Sequence, residues 1–427
     1  MMRIFKIDFR LNILFFIAFL ASIFVGFYVG IIQFPDSEGY LQMDIFRSAG
    51  YPLLLKFHHI ISGDFYLCAT IITQLLFLFY AIFVLLNTLC LTVLKNAWSL
   101  AILFLILVLP VFYEFHISFT ILSEAIAYPL YLLVISQLIS GFFFKKTKYF
   151  YVGLVLLLLL ISVRGQFLFV VVVYLLSFIL FFRHSVLSRK TLLLIGATVL
   201  VPFVSVAIDV SYHFFKHDMS VTTPWTGIQI AALPFFVSKE ADANLFEDAQ
   251  EKSYFTHVFQ KLKTKNLLMS QVPKDAQVMN FYYEKYTTIC NGTINADGEI
   301  FFVSLKTSHQ KTVANDKMSA KIALKLFAKN WKEYAKIYFK NVSFGFGTNK
   351  YFLLMLLFLG LSIYKILNND FLFYWIIFMG SLCAIGNVLI VSFAEPAQSR
   401  YVFYNNWVLI GFFLIFVEHL KKPQNAN

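Results

Sequence analysis

Ten apolar runs leave this chain almost no freedom of fold class. They lie at 11–32, 66–94, 97–113, 119–142, 149–163, 166–182, 191–212, 351–367, 371–393 and 402–418. A hydrocarbon layer about 30 Å thick takes about 17 to 25 such residues per crossing helix. A soluble domain has no interior large enough for this much apolar surface, since 59% of the 427 residues are hydrophobic, 14% are charged and 52 are phenylalanine. In lipid every backbone polar group must be satisfied within its own segment, so the runs read as helices. The expectation is an all-α polytopic membrane protein of about ten transmembrane helices. The runs at 97–113 and 149–163 are short enough to tilt, break or re-enter.

Ten crossings put both termini on one side, and cations near short loops say which. Arg3, Lys6, Arg10, Lys95, Lys145, Lys146, Lys148, Arg183, Arg189, Lys190, Lys365, Lys421 and Lys422 fall on one side, against only Arg47, Lys56, Arg164 and Arg400 on the other. Thirteen against four predicts cytoplasmic termini, with the first helix an uncleaved signal anchor. The net charge of +12 is then mostly topology and loop lysines. It is no sign of nucleic-acid binding, because lipid separates the loops that carry it. Cys68, Cys90 and Cys383 fall in or at the edge of spans and Cys290 lies outside them. With no CxxC and no His/Cys ligand spacing read from the chain, neither a disulfide framework nor a structural zinc site is expected.

The chain divides into an N-terminal membrane region, 1–212, with a first external loop at 33–65; an external domain, 213–350; and a C-terminal membrane region, 351–427. The middle region is lysine-rich and carries Pro224, Pro234 and Pro273, and it is large enough to fold by itself. It reads as mainly helical with some strand, α(+β). "KMSAKIALKLFAKNWKEYAKIYFKNV" spaces Lys317, Lys321, Lys325, Lys329, Lys332, Lys336 and Lys340 by three and four, with Ile322, Phe327, Trp331, Tyr334 and Tyr338 forming an apolar stripe. That pattern predicts one helix lying on the bilayer surface, or packed on the domain. Residues 240–263 repeat it more weakly, and "NADGEIFFV" suggests a hairpin at Asp297 and Gly298.

Away from the large loop, Asp36, Glu38, Asp44, Asp64, Glu114, Glu124, Asp209 and Glu395 fall on the external side, where Arg47, Arg164 and Arg400 also lie; only Asp8, Asp370 and Glu418 are internal. Any one of these alone is an ion pair or a helix-end contact. A cluster of ionisable groups at span ends is a functional-site hypothesis. One chemistry suits it: transfer of a group from a lipid phosphate to a hydroxyl. A carboxylate takes the proton of the attacking hydroxyl, and planar guanidinium forks match phosphate oxygens better than lysine does.

"PDSEGYLQMDIFRSAGYPLLL" resembles the first external loop of GT-C superfamily glycosyltransferases, especially the family 39 type that includes protein mannosyltransferases and lipid A aminoarabinose transferases. "SFTILSEAIAYPLYLL", "ISVRGQFLF" and "EPAQSRYVFY" are similar, in order and position, to that family's middle-helix opening, later helix-end arginine and last-helix lead-in. The resemblance implies a GT-C-like fold with Asp36 as catalytic base. Glu38 is the runner-up, because the family's acidic pair is often adjacent and here Ser37 intervenes, which leaves open whether a divalent metal joins Asp36. Glu124 would position the acceptor or support the site. Arg47, Arg164 and above all Arg400 would hold the donor phosphate, and Tyr40, Tyr51 and Tyr401 would line sugar or lipid, unless they are interfacial anchors.

The implied protein is a glycosyltransferase of the bacterial inner membrane with its site on the periplasmic face. It would move a sugar from a polyprenyl (undecaprenyl) phosphate donor to a glycan or lipid-linked acceptor such as the O-antigen of lipopolysaccharide, with inversion. Two rivals are an O-antigen-type polysaccharide polymerase and a lipid-linked sugar transporter or flippase. The second predicts charges at mid-span and matched halves, whereas here the charges sit at helix ends. His58 and His59, the sequons at Asn291 and Asn341, and Trp225 read as ordinary structural residues.

Overall fold

The protein is described by a computed structural model over residues 9–113, 116–369 and 372–420. Arg3, Lys6, Asp8, Glu114, Asp370, Lys421 and Lys422, used in the topology argument, lie outside the described residues. Regular structure is helical throughout. The described residues contain no strand, only a single backbone bridge between Ile32 and Thr120.

Each of the ten expected runs is occupied by helix. Seven apolar helical segments are long enough to cross a membrane: Leu11–Val29, Gly50–Thr92, Glu124–Phe144, Arg189–His217, Asn349–Asn368, Phe373–Ala394 and Ser399–Leu420. Ala97–Phe112, Thr147–Val163 and Gly165–Phe181 are apolar but shorter. The expected loop at 33–65 is itself largely helical, with helices at Pro35–Leu41 and Gly50–Ser62.

By its contacts the chain forms two compact units. The first holds Met1–Asp209, Met355–Gly386 and Phe403–Asn427; the second holds Val210–Leu354 and Asn387–Val402. At the centre of the first runs Glu124–Phe144, in which every residue from Glu124 to Ser136 is buried, as expected of a helix that is apolar all round. It packs against Tyr66–Thr92 and Thr147–Val163. Rings fill the gaps, with Phe142 stacked on Trp375 at 5.3 Å and edge-on to Phe150 at 5.0 Å.

The second unit is built around the apolar helix Thr226–Val237, whose Ile228, Ala231, Ala232, Phe235 and Phe236 are buried among Phe255, Val258, Tyr282, Ile289 and Leu326. The hairpin expected at Asp297 and Gly298 is absent: a π-helical turn, Cys290–Asn295, runs into helix Ala296–Ile300. The irregular carbonyls that result are taken up by side chains. Asn315 Nδ2 donates to Ile294 O (2.9 Å) and Asn295 O (3.2 Å), and His257 Nε2 lies 2.9 Å from Asp297 O, so helix wins over a lone Asp-Gly signal. Burial pushes the Cys290 thiol up to about 12.

The lysine-striped segment is two helices, Ser308–Lys329 and Trp331–Gly345, broken at Asn330, whose amide donates to Asp242 at 2.8 Å. The single apolar stripe therefore divides. Ile322 and Tyr334 turn into the core, while Phe327 and Trp331 are exposed. The second of these helices grips the 387–402 segment: Tyr338 donates to Leu389 O (3.0 Å), and Asn341 Nδ2 to Ser392 O (3.1 Å) and Glu395 O (2.9 Å), while Asn341 Oδ1 accepts from Ala397 N (2.9 Å). That buried amide has no room for a glycan, so the sequon at Asn341 is structural.

Candidate active site

Asp36, Arg47, Glu124 and Arg164 come together in the first unit, and the backbone explains how. Ile32 N donates to Phe119 O (2.8 Å) and Ile32 O accepts from Ile121 N (3.0 Å), clamping the chain that leaves the first helix to the chain that opens Glu124–Phe144. Helix Pro35–Leu41 follows, with proline at its first position, where the missing N–H is no loss, and with Ser37 Oγ accepting from Phe34 N at 2.9 Å. The chain then reverses through Met43, at φ 57°, and Asp44 N donates to Gly39 O at 2.9 Å.

This reversal lays Arg47 back over the short helix. Its Nη2 is 3.1 Å from Asp36 Oδ1 and 3.2 Å from Asp36 O, and its Cζ sits 4.4 Å from the Tyr40 ring centroid. A Cβ at Gly39 would stand 2.8 Å from Arg47 Nε, so a larger residue would push the guanidinium from this position. Burial works against the Arg47 cation, but Tyr40, Asp36 and Glu124 outweigh it and hold the group above its ordinary value.

Tyr40 OH reaches Ser123 Oγ at 2.9 Å; Ser123 Oγ donates to Glu124 Oε2 at 3.2 Å; and Arg164 Nη1 donates to Ser123 Oγ at 3.2 Å and pairs with Glu124 Oε1 at 2.9 Å. With Tyr40 as donor, the serine hydroxyl gives one hydrogen bond and receives two, which is its full capacity. Arg164 follows the last residue of Thr147–Val163 in extended conformation, and its Nε donates to Gln166. Beneath this network Tyr51 OH donates to Gln74 Oε1 (2.8 Å), and Gln74 Nε2 donates to Ser118 O and Thr120 O (3.1 Å each). The Tyr51 and Tyr40 rings meet edge-on at 5.1 Å.

Gly50 brings its helix against the end of Thr147–Val163: a Cβ there would lie 2.8 Å from the Ser162 carbonyl carbon and oxygen. Backbone cannot rotate aside as a side chain can. Gly50→Ala is therefore expected to destabilise the first unit by about 1–3 kcal/mol, read as a lower thermal midpoint in detergent; an unchanged midpoint would show that the two helices can part without loss.

The two carboxylates differ in access. The Glu124 side chain is 3% exposed and the Asp36 side chain 38%, so Asp36 is the one a second molecule can touch and Glu124 is a buried support. Glu38 faces outward on the short helix, where it accepts from Gln42 Nε2 at 2.7 Å, apart from this network. Arg400 and Tyr401 belong to the second unit, on the turn Ser399–Val402, with Arg400 Cζ 5.3 Å from the Tyr401 ring and Tyr401 O accepting from Asn387 Nδ2 at 3.2 Å.

Asp36 Oδ1 is paired with the Arg47 guanidinium, and among the described residues no three His, Cys, Asp or Glu side chains are grouped to hold a metal. His58 spends both ring nitrogens on Thr70 (2.8 Å) and Thr73 (3.3 Å). In the second unit His213 and His217, four apart, do have the spacing of helical ligands that the sequence reading passed over, and their rings stack at 5.6 Å.

Sequence reasoning also missed Ser123 and Gln74. Both left a signal: a serine directly before an acidic residue at a helix start, and a lone amide inside an apolar run. No protein-family model matches the chain, and neither a curated protein nor a solved structure does.

Proposed function

We propose that the protein is a membrane glycosyltransferase that moves a sugar from a polyprenyl-phosphate donor to an acceptor hydroxyl of a cell-surface glycan. In this reading it lies in the bacterial inner membrane with cytoplasmic termini and works on the external face. The observation that carries it is the accessible Asp36 carboxylate, oriented by Arg47 and backed through Tyr40 and Ser123 by the buried Glu124–Arg164 pair. The apolar helices supply what a lipid-borne donor requires.

The chemistry follows from those groups. The acceptor oxygen attacks the anomeric carbon as the bond from that carbon to the phosphate oxygen breaks. The phosphate leaves with the bonding electrons, and the hydroxyl proton passes to Asp36 Oδ. Arg47 holds Asp36 in place and offers donor capacity to charge growing on the leaving oxygen. Arg164, committed to Glu124 and Ser123, acts as a support. A single displacement inverts the anomeric centre and needs no covalent sugar intermediate.

The test is mass spectrometry of the host's surface glycan and polyprenyl-phosphate pool in wild type, a deletion and the complemented deletion. Loss of one sugar mass from each repeat, with accumulation of its lipid carrier, is the expected result. Unchanged repeats in shortened chains would overturn it in favour of a polymerase, and an unaltered glycan would reopen transport.

A further inference from the structure

We infer that the exposed face of helix Trp331–Gly345 docks on the anionic lipid headgroups of the bilayer surface. The helix buries Tyr334, Ile337, Asn341 and Val342 in the second unit. Lys332, Lys336, Phe339 and Lys340 share the opposite side and are all exposed, Phe339 at 58%, with Trp331 at 54% on its border. Glu333, the helix's one acidic residue, is half-buried on the flank. Three cations around an exposed ring, beside an exposed indole 5.8 Å from Lys332 Nζ, form the polar-plus-aromatic pattern of a helix lying in a lipid interface.

Chain connectivity selects the partner. Asn349–Asn368 is long and apolar enough to cross the membrane, and only three residues separate it from Gly345. Even fully extended, that connection spans at most about 15 Å. Here it is tightened by a turn in which Gly347, at φ 73°, donates to Phe344 O at 2.8 Å. The C-terminal end of this helix is therefore tethered close to a bilayer surface, one helix length of about 20 Å from Trp331, whereas an acidic protein or a second copy of the chain would have to be recruited. Lysine ammonium groups meet lipid phosphodiesters there while Trp331 and Phe339 enter the headgroup boundary, and each lysine near such a surface adds a favourable electrostatic increment. The inference does not depend on the reaction proposed above.

The experiment uses the full chain reconstituted in phosphatidylcholine vesicles with and without phosphatidylglycerol, each carrying lipid brominated near the headgroup. Trp331 emission is isolated as the difference between wild type and Trp331→Phe. The expected result is stronger quenching of Trp331 in the anionic vesicles. It should fall at least twofold as salt rises from about 0.1 M to 1 M, because the screening length shrinks from about 10 Å to about 3 Å. In the K332Q/K336Q/K340Q variant it should drop to the phosphatidylcholine level. Equal quenching in both lipids, or free access of acrylamide to Trp331 in both, would overturn the inference. So would shielding from acrylamide without quenching by brominated lipid, which would assign the face to a protein partner or a second copy. The salt titration on wild type decides the matter even if the triple variant does not fold.

Discussion

Arg164→Met is expected to cost the membrane unit about 3–5 kcal/mol of stability, the scale seen when one partner of a buried ion pair is removed. Glu124 is 3% exposed and pairs with Arg164 Nη1 at 2.9 Å. Methionine fills much of the volume but leaves the carboxylate without that cation, and Ser123 loses one of its two incoming hydrogen bonds. The double variant Glu124→Gln/Arg164→Met removes the stranded charge and should recover a large part of the loss. Unfolding of both variants in mixed micelles, followed by helical signal and by protease resistance, measures the difference. If the single and double variants are equally stable, the pair does not hold the site together and Glu124 has lost its assigned support.

Asp36→Asn is expected to lower the transfer rate by about 10²–10⁴-fold, the usual contribution of a positioned general base, in a protein that inserts and folds normally. The amide keeps the shape of the side chain and can still meet Arg47 through its oxygen, but it cannot take the proton from the acceptor hydroxyl. Glu38→Gln should change the rate only a few-fold, since Glu38 bonds Gln42 on the outer side of the short helix. The measurement is transfer from a synthetic lipid-phosphate sugar in detergent, at equal protein. A normal rate for Asp36→Asn together with a large loss for Glu38→Gln would exchange the two roles.

The helices were legible because bilayer thickness sets a length that composition alone reveals; runs such as 191–212 and 351–367 became helices Arg189–His217 and Asn349–Asn369. Length was also where the reading was coarsest. Three of the ten runs form helices shorter than a clear crossing, and Gly50–Ser62 extends the apolar path before the expected start at 66. Of the site, Asp36 and Arg47 were both singled out because a single loop holds them, but as base and phosphate holder and not as an ion pair. The Glu124–Arg164 pair was visible only as two separate charges: its partners are forty residues apart, and what joins them is the packing of helices Glu124–Phe144 and Thr147–Val163 against each other. Inside the second unit, the Asp-Gly signal failed because Asn315 and His257, distant in sequence, offer hydrogen bonds that a local turn rule does not count.

The Ile32–Thr120 bridge has a bearing on how the site could drift over many generations. The clasp that sets the Pro35–Leu41 helix, with Tyr40, beside Ser123 is made entirely by peptide groups, with N–H and C=O of residues 32, 119 and 121 as its parts. Side chains at those positions are therefore free to change as far as the clasp is concerned, and a comparison of residue identities would pass over it. Only proline at 32 or 121 removes a donor from it. The clasp itself therefore excludes only proline at those two positions, while burial sets the choice of side chain at 121, where isoleucine is 0% exposed.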